Sequence, residues 1–496
     1  MTASACAEGL TFNGSALTGM MHTVGILSMA SDMAATAQSA SAKLPTSALL
    51  RMLWMHIADR RRIQLGALVG LMLLGTLMEL FSLGMVLPFL GALTDPDRVF
   101  NHPWAQPLIN HLGLQTPQQL LLPLTVLFGL SALLSGATRL LLLWSQTRLG
   151  NAIGADLGAA GYRRTLYQPY VVHALRNSGD IIAALMNKIH TIVYSIVIPL
   201  TTITSSTLMV LTIVAFMLLV DFQLTSMLFL GFGFLYFLVA YSTKKKLLRD
   251  SQRVNEGQSN VTRVVQEGLG GIRDVLIEGL QETFTRLYRK EDRQLRRALV
   301  SIHVIGGAPR YIIEAFGLAL ISMVAYLLAG RPQGMSTALP MLGALALAAQ
   351  RLLPLVQQGF TSWAYILSGR DSLFEVLKLL NQPLPVYSAQ PEPTPISFKQ
   401  QIDLVDVHFQ YTPDGPKVLS GVALRIPRGS RIGFIGASGS GKSTVLDILM
   451  GLLAPTSGAL RIDGIDINED NCRAWQLHIA HVPQTVYLTD ASIAEN

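Results

Sequence analysis

Nine residues, GASGSGKST at 436–444, carry the clearest chemistry in this 496-residue chain. They fit G-x-x-x-x-G-K-[ST], a pattern in which glycines let backbone N–H groups curl around phosphate oxygens. Gly436, Gly439 and Gly441 supply the curl, Lys442 an ammonium that bridges terminal phosphates, and Ser443 a hydroxyl for Mg²⁺. Ser438, Ser440 and Thr444 complete the phosphate-lining set. The loop lies between two apolar stretches, SRIGFIG and TVLDILMGLL, which read as the strand and helix that the motif requires, and the helix N-terminus adds its dipole. The bland alternative is a Gly/Ser-rich turn without a ligand; strand, loop, Lys, Ser and helix together argue against it.

A second set of residues is unusual for where it sits. Arg139, Arg310 and Arg351 each lie well inside a long apolar run, where charges are costly and commonly functional. Three cations on three helices suit a cavity that receives an anion, because guanidinium forks pair bidentately with phosphate. Internal pairing is the competing reading: Glu79 is available, and Arg310 with Glu314 has i, i+4 spacing on one helix face. Three arginines against two glutamates leave one cation over, so the two readings can coexist. His408, His478 and His481 have no carboxylate or metal-ligand spacing and are expected in packing or surface roles. The Met-rich patches of the apolar runs read as core filler. Cys6 and Cys472 imply neither a disulfide framework nor a metal site.

The elements that position these residues follow from composition and hydropathy. With 50% hydrophobic and 14% charged residues and a mean hydropathy of +0.41, the chain is too apolar for an ordinary soluble enzyme. Its net charge of +7 fits Lys and Arg gathered on cytoplasmic loops better than nucleic-acid binding, since no basic stretch is interleaved with stacking aromatics. Six stretches, near 63–92, 120–145, 194–220, 224–241, 302–330 and 338–366, reach the ~20 residues that cross a bilayer as a helix. Arg60, Arg61 and Arg62 precede the first, and Lys244, Lys245, Lys246 and Arg249 follow the fourth, which puts both chain ends in the cytoplasm. The long links 146–193 and 242–301 fall on that side as charged amphipathic helices that must pack on one another. Outside, the PLINHL core of link 94–119 is expected as a short amphipathic helix at the membrane interface.

Residues 1–50 hold three charges, Glu8, Asp32 and Lys43, and no basic segment precedes an apolar run. They read as a disordered extension or as a start placed too early, with Met52 or Met55 as the true one. A membrane domain is expected over 51–380, then a linker over 381–399, where NQPLPVYSAQPEPTPISF carries five prolines, then an α/β region over 400–496. There QIDLVDVHFQY, ALRI and SRIGFIG read as strands, STVLDILMGLL as a helix and ALRIDGIDI as a hairpin.

With VHFQY ahead of the phosphate loop, TSGALRIDGIDI after it and HVPQ some forty residues on, residues 400–496 resemble the nucleotide-binding domain of ABC transporters. The six-helix layout extends the resemblance, more loosely, over residues 60–380. It implies a membrane all-α six-helix exporter-type domain followed by an incomplete α/β P-loop nucleotide-binding domain, with ATP and Mg²⁺ as cofactors and a second identical half-transporter as partner. By the same likeness Tyr411 stacks on adenine, although an ordinary strand-end aromatic would look the same, and Gln484 of the Q-loop reaches Mg²⁺. Coupling tips would fall near Tyr170–Leu175 and Gly270–Gly279. The LSGGQ signature, the Walker B strand with its catalytic Glu and the switch His do not occur, so the chain is expected to stop inside the domain and to hydrolyse no ATP as written. A gene or record fragment is the favoured account, a natural ATP-sensing pseudo-transporter the rival.

MELFSLGMVLPFL, APRYIIEAFG and LAAQRLLPLVQQGFTSWAYI resemble helices of exporters that flip lipid-linked oligosaccharides across the bacterial inner membrane. The cargo this implies is a polyprenyl-pyrophosphate lipid, its pyrophosphate among the arginines and its tail near link 94–119. An exporter of drugs, lipid A-like lipids or peptides has the same architecture. A P-loop kinase or GTPase fused to a membrane anchor is disfavoured by Tyr411, the Q-loop and the long links.

Overall fold

A computed structural model of the chain describes residues 44–483 and 492, apart from 95, 104, 176–177, 221 and 330–334. Expectations about Cys6, the first 43 residues and Gln484 therefore lie outside the described residues. The chain divides into two units, residues 44–163 with 178–381, and residues 164–177 with the chain from 382 onward.

The first unit is helical. Apolar runs of this length can satisfy their backbone N–H and C=O groups only within themselves, and the helix is the way one segment does so. Helix α1 (Thr46–His56) buries Leu49 and Leu53, one turn apart. It is followed by α2 (Asp59–Gly84), α3 (Val86–Thr94), α4 (Pro96–Phe100), α5 (Gln106–Leu112) and the long α6 (Leu121–Leu166). After α7 (Tyr170–Leu175), which belongs to the second unit, one continuous rod is built from α8 (Ser178–Ala183), α9 (Ile189–Ile192) and α10 (Ile198–Val220), joined by π-helical turns at Ala184–Lys188 and Val193–Val197. Then come α11 (Phe222–Gly270), α12 (Ile272–Ile277), α13 (Gln281–Ala329), α14 (Met335–Ser368) and α15 (Arg370–Leu380).

Among the described residues, the helical stretches Asp59–Leu93, Pro117–Leu166 and Ile181–Leu219 are long and apolar enough to cross a membrane. They contain most of the first three expected spans, while the fourth to sixth fall on α11, α13 and α14. Leu133, Leu140, Trp144, Phe234 and Phe237 are exposed along these rods, a pattern suited to hydrocarbon rather than water. Inside, Leu68, Met72, Ile153, Ile192, Ile196, Ile213 and Leu373 form the core. Helix α6 comes close to the rod because Gly150, Gly154 and Gly158 face Ile198, Val193 and Ile189; a Cβ on Gly150 would lie 2.7 Å from Ile198 Cγ1.

The helices expected over 146–193 and 242–301 are present as extensions of the apolar rods. α11 and α13 pair through Gly257 against Leu295 and Gly268 against Phe284, with Leu247, Val254, Ala298 and Ile302 buried between them and their neighbours. Asn260 Nδ2 donates to Glu291 Oε2 at 2.9 Å across the same pair. In link 94–119 the expected short helix is α5, closed by Gly113 at φ +64 and pinned by buried Ile109 against Ala92, Ala105, Leu120 and Leu124.

The second unit carries a four-stranded antiparallel sheet, ordered β2-β1-β3-β4: β1 (Gln401–Phe409), β2 (Leu419–Pro427), β3 (Ser457–Ile462) and β4 (Ile465–Asp466). Helix α16 (Lys442–Leu449) and helix α17 (Cys472–Gln476) pack on it, burying Leu404, Val407, Phe409, Val445, Ile448, Leu460, Ile462 and Trp475. The expected ALRIDGIDI hairpin is present: Ile462 pairs with Ile465, and Asp463 and Gly464 both take positive φ (48 and 83), as a tight two-residue turn needs. One expected strand is absent. Residues 430–436, SRIGFIG, form no strand and join no sheet, and Ile435 is 99% exposed. Its apolar sequence is that of a strand buried on both faces, yet a strand also needs a neighbour to hydrogen-bond, and no described strand runs beside it.

β1 bulges at Val405–Asp406, where its register to both β2 and β3 shifts and Asp406 takes φ +46. Gly458, at φ +85, lies under the bulge, and a Cβ there would fall 2.5 Å from the Val405 carbonyl oxygen. Gly458→Ala is therefore expected to cost at least about 1–2 kcal/mol from the left-handed backbone alone. Amide exchange of β1 and β3 in the purified chain, faster in the variant, checks this.

The turn residue Asp463 also clips the entry to β1. Its carboxylate accepts the backbone N–H groups of Lys399 (2.5 Å), Gln401 (2.8 Å) and Gln400 (2.8 Å), which hold its carboxyl below the usual range. A depressed carboxyl stabilises the fold above its unfolded value and loses that contribution as pH falls through the folded one. Acid unfolding of this unit, followed by circular dichroism below about pH 4, should lose part of its steepness in Asp463→Asn.

Candidate nucleotide site and membrane arginines

The phosphate loop closes on itself. Gly439 and Gly441 adopt φ +82 and +86, and Gly441 forms the N-terminal boundary of α16. A Cβ on Gly441 would lie 2.7 Å from Leu419 Cδ2 and 3.2 Å from the Val418 carbonyl oxygen, so glycine is required both by backbone and by space. Lys442 Nζ donates to the carbonyls of Gly436 (2.9 Å) and Ala437 (2.7 Å) and lies 3.4 Å from Ser440 Oγ. The ammonium thus sits in the ring of the loop, where it would exchange carbonyl oxygens for phosphate oxygens. Ser438 and Ser440 are exposed, Ser443 is exposed on the first turn of α16, and Thr444 is buried. Left-handed glycines, a helix N-terminus, an ammonium and a hydroxyl form a donor set that fits a nucleotide triphosphate with Mg²⁺.

Tyr411 is brought to this loop. Its hydroxyl lies 3.3 Å from Thr444 Oγ1, and its ring stands edge-on to Phe409, centroids 4.9 Å apart at 86°. Thr444, chosen from the motif alone, thus also fixes the aromatic that the resemblance points to. The other end of α16 is tied by residues the sequence reading passed over. Trp475 Nε1 donates to the Leu449 carbonyl at 2.8 Å and Gln476 Nε2 to that of Gly451 at 3.0 Å. A lone tryptophan in the polar run NEDNCRAWQLH was the available signal. His408 also differs from expectation: Gly421 N–H donates to its Nδ1 (3.2 Å), so Nε2 carries the proton toward Asp406 Oδ1 (3.2 Å). The bulge supplies the carboxylate by reshaping the backbone between them.

In the helical unit, two of the three arginines meet. Glu79, on α2 and 1% exposed, contacts Arg139 of α6 and Arg351 of α14, and accepts Ser135 Oγ–H at 2.5 Å. Two guanidinium groups share one carboxylate, which leaves one positive charge over. Arg139 Nε is buried and has no hydrogen-bond partner among the described residues. Arg310 lies apart, more than half exposed, with its Nε 3.9 Å from Glu314 Oε2 one turn along α13. Internal pairing and a surplus cation are therefore both present at Glu79.

Segment 164–177, with the first expected coupling tip α7, is grouped with the sheet, and Val171 packs against the sheet core. The second tip, α12, stays in the helical unit with Ile272, Leu276 and Ile277 exposed.

Removing the carboxylate from a buried pair strands its partners, which costs about 3–5 kcal/mol. Glu79→Ala is thus expected to lower the melting temperature of the detergent-purified chain strongly, and Glu79→Ala with Arg351→Ala to recover part of the loss, as a double-mutant cycle would measure.

Family models place these features among known proteins. Residues 65–331, more than half of the chain, match the ABC transporter transmembrane region, and residues 419–496 match the ABC transporter model. Two curated relatives are both ATP-dependent lipid A-core flippases, from Chromohalobacter salexigens and Thiobacillus denitrificans. Each is 26% identical, over 77% and 76% of this chain and 66% and 63% of their own lengths. The chain thus spans about two thirds of the relatives it matches. A bacterial Atm1-family ABC exporter solved with ATP bound has the same fold, with TM-score 0.60 and 18% identity over 84% of this chain and 69% of its own. Membrane rods, phosphate loop and both family matches agree that the chain belongs to the ABC transporters.

Proposed function

We propose that this chain works as a half-transporter that binds ATP with Mg²⁺, pairs with a second copy, and exports an anionic lipid. The observation that carries the nucleotide part is the closed phosphate loop with Lys442 at its centre and Tyr411 held to Thr444. For the cargo it is the surplus cation at Glu79, where Arg139 and Arg351 meet. With Arg310 added from α13, these arginines form the anion-recognising set, and a polyprenyl-pyrophosphate-linked oligosaccharide is the substrate its charge suits. The names of the relatives favour a second reading, a lipid A-type glycolipid, which offers phosphate in place of pyrophosphate. The setting is the bacterial inner membrane, with both ends of the chain in the cytoplasm, in keeping with the cations that flank α2 and the membrane part of α11.

Equilibrium binding of a fluorescent ATP analogue to the purified chain tests the first part. Lys442→Ala should weaken it at least about tenfold, the scale of losing one good charge-assisted contact to phosphate. Equal affinities would remove Lys442 from the site. The cargo part is tested in nanodiscs with polyprenyl pyrophosphate or lipid A added. Each arginine-to-alanine change at 139, 310 and 351 should reduce the thermal stabilisation that the lipid gives, and an unchanged shift for Arg310→Ala would take that residue out of the set.

A further inference from the structure

We propose that segment 382–398 is not a slack tether but a docked strap linking the phosphate-loop helix to the end of α6, with Tyr387 as its positioning residue. The inference rests on the nucleotide reading above and adds a route by which that site is felt elsewhere. Composition alone made this segment a linker, because it carries five prolines. Its contacts are those of a fixed element. Arg164, in the last turn of α6, donates from Nη1 to the Gln382 carbonyl at 2.5 Å, and Gln168 Nε2 donates to that of Pro383 at 3.0 Å. A 3₁₀ turn over Val386–Ala389 then presents Tyr387, whose ring lies 6.2 Å from that of Tyr167 on one side and has the Arg473 guanidinium 5.1 Å from its centroid on another.

Beyond Tyr387 the strap grips α17. Ile396 N–H donates to the Ala474 carbonyl at 3.2 Å, His478 Nε2–H donates to the Ile396 carbonyl at 2.6 Å, and Phe398 stands edge-on to Trp475 at 5.8 Å. Trp475 and Gln476 are the residues bonded to the C-terminal end of α16, whose first turn is the phosphate site. One run of contacts therefore leads from the phosphate loop through α16, α17 and the strap to Arg164. Prolines make the strap stiff, so a displacement of α17 would move its far end rather than be absorbed along the way.

Contiguity alone is not coupling, but coupling is reciprocal and can be measured from both ends. The full chain in nanodiscs would be taken through amide exchange of residues 382–398 with and without a non-hydrolysable ATP analogue, alongside direct binding of that analogue. In the wild type the analogue should change strap exchange several-fold. Tyr387→Phe keeps the ring and should behave like the wild type. Tyr387→Leu keeps bulk but loses the ring, and should abolish the exchange response and shift the analogue's Kd about fivefold or more, the lower end of ordinary coupling. Unchanged exchange of β1 and β3 in that variant would show that the fold is intact. If the analogue binds but leaves strap exchange untouched, or if Tyr387→Leu keeps both the response and the wild-type Kd, the strap is a tether and the proposal is overturned. If the wild type fails to bind the analogue, the nucleotide reading itself falls and takes this proposal with it, an outcome that the direct binding measurement separates from the others.

Discussion

In hydrocarbon no water stands by to solvate a polar group, so every backbone amide and every charge must find its partner inside the protein. That constraint shapes the helical unit from end to end. It turns the apolar runs into unbroken rods, α6 alone covering Leu121–Leu166, and it makes any charge within them a structural commitment. Glu79 shows how far the commitment goes. One buried carboxylate serves two guanidinium groups and a serine hydroxyl from two other helices, and so joins α2, α6 and α14 at a single point. Taking two cations to one anion leaves an unbalanced charge, which is unfavourable for a static core and useful for a site that must attract an anion.

What could be read beforehand follows the range of the interactions. The phosphate loop was legible because its requirements are local: glycines for the turn, a lysine and a serine at fixed offsets, an apolar helix after them. The helical rods were legible because hydropathy acts residue by residue. Glu79 was visible as an available acid, but its sharing by Arg139 and Arg351 depends on which rods stand side by side, and no spacing along the chain encodes that. The SRIGFIG stretch failed in the opposite way. Its residues suit a buried strand, but pairing is a property of two segments, and hydropathy describes one. Proline content is limited for a related reason: it reports the stiffness of 382–398, but not the hydrogen bonds that Arg164 and Gln168 make to the carbonyls of Gln382 and Pro383.

The sheet unit gains its shape from two places where β geometry is interrupted. At Val405–Asp406 an extra residue in β1 bends the strand over Gly458 and brings the Asp406 carboxylate to His408. At Asp463 the hairpin turn reaches back to three successive amides ahead of β1, so the same side chain helps make the turn and starts the strand beside it. Together they set where β1 begins and where its register changes. The aromatic pair Phe409 and Tyr411 at its end is thereby delivered to α16.

The π-helical turns in the rod facing α6 have a metric consequence. Gly150 and Gly158 are eight residues apart, about 12 Å along an ordinary helix, whereas the residues they meet, Ile198 and Ile189, are nine apart, which would span about 13.5 Å. The mismatch is one residue, and the turn at Val193–Val197 lies between them to absorb it. The two helices behave like the scales of a vernier. Rulings that differ by one division are brought into coincidence at three marks, so side chains that would drift out of step after the first contact still meet a glycine at the third.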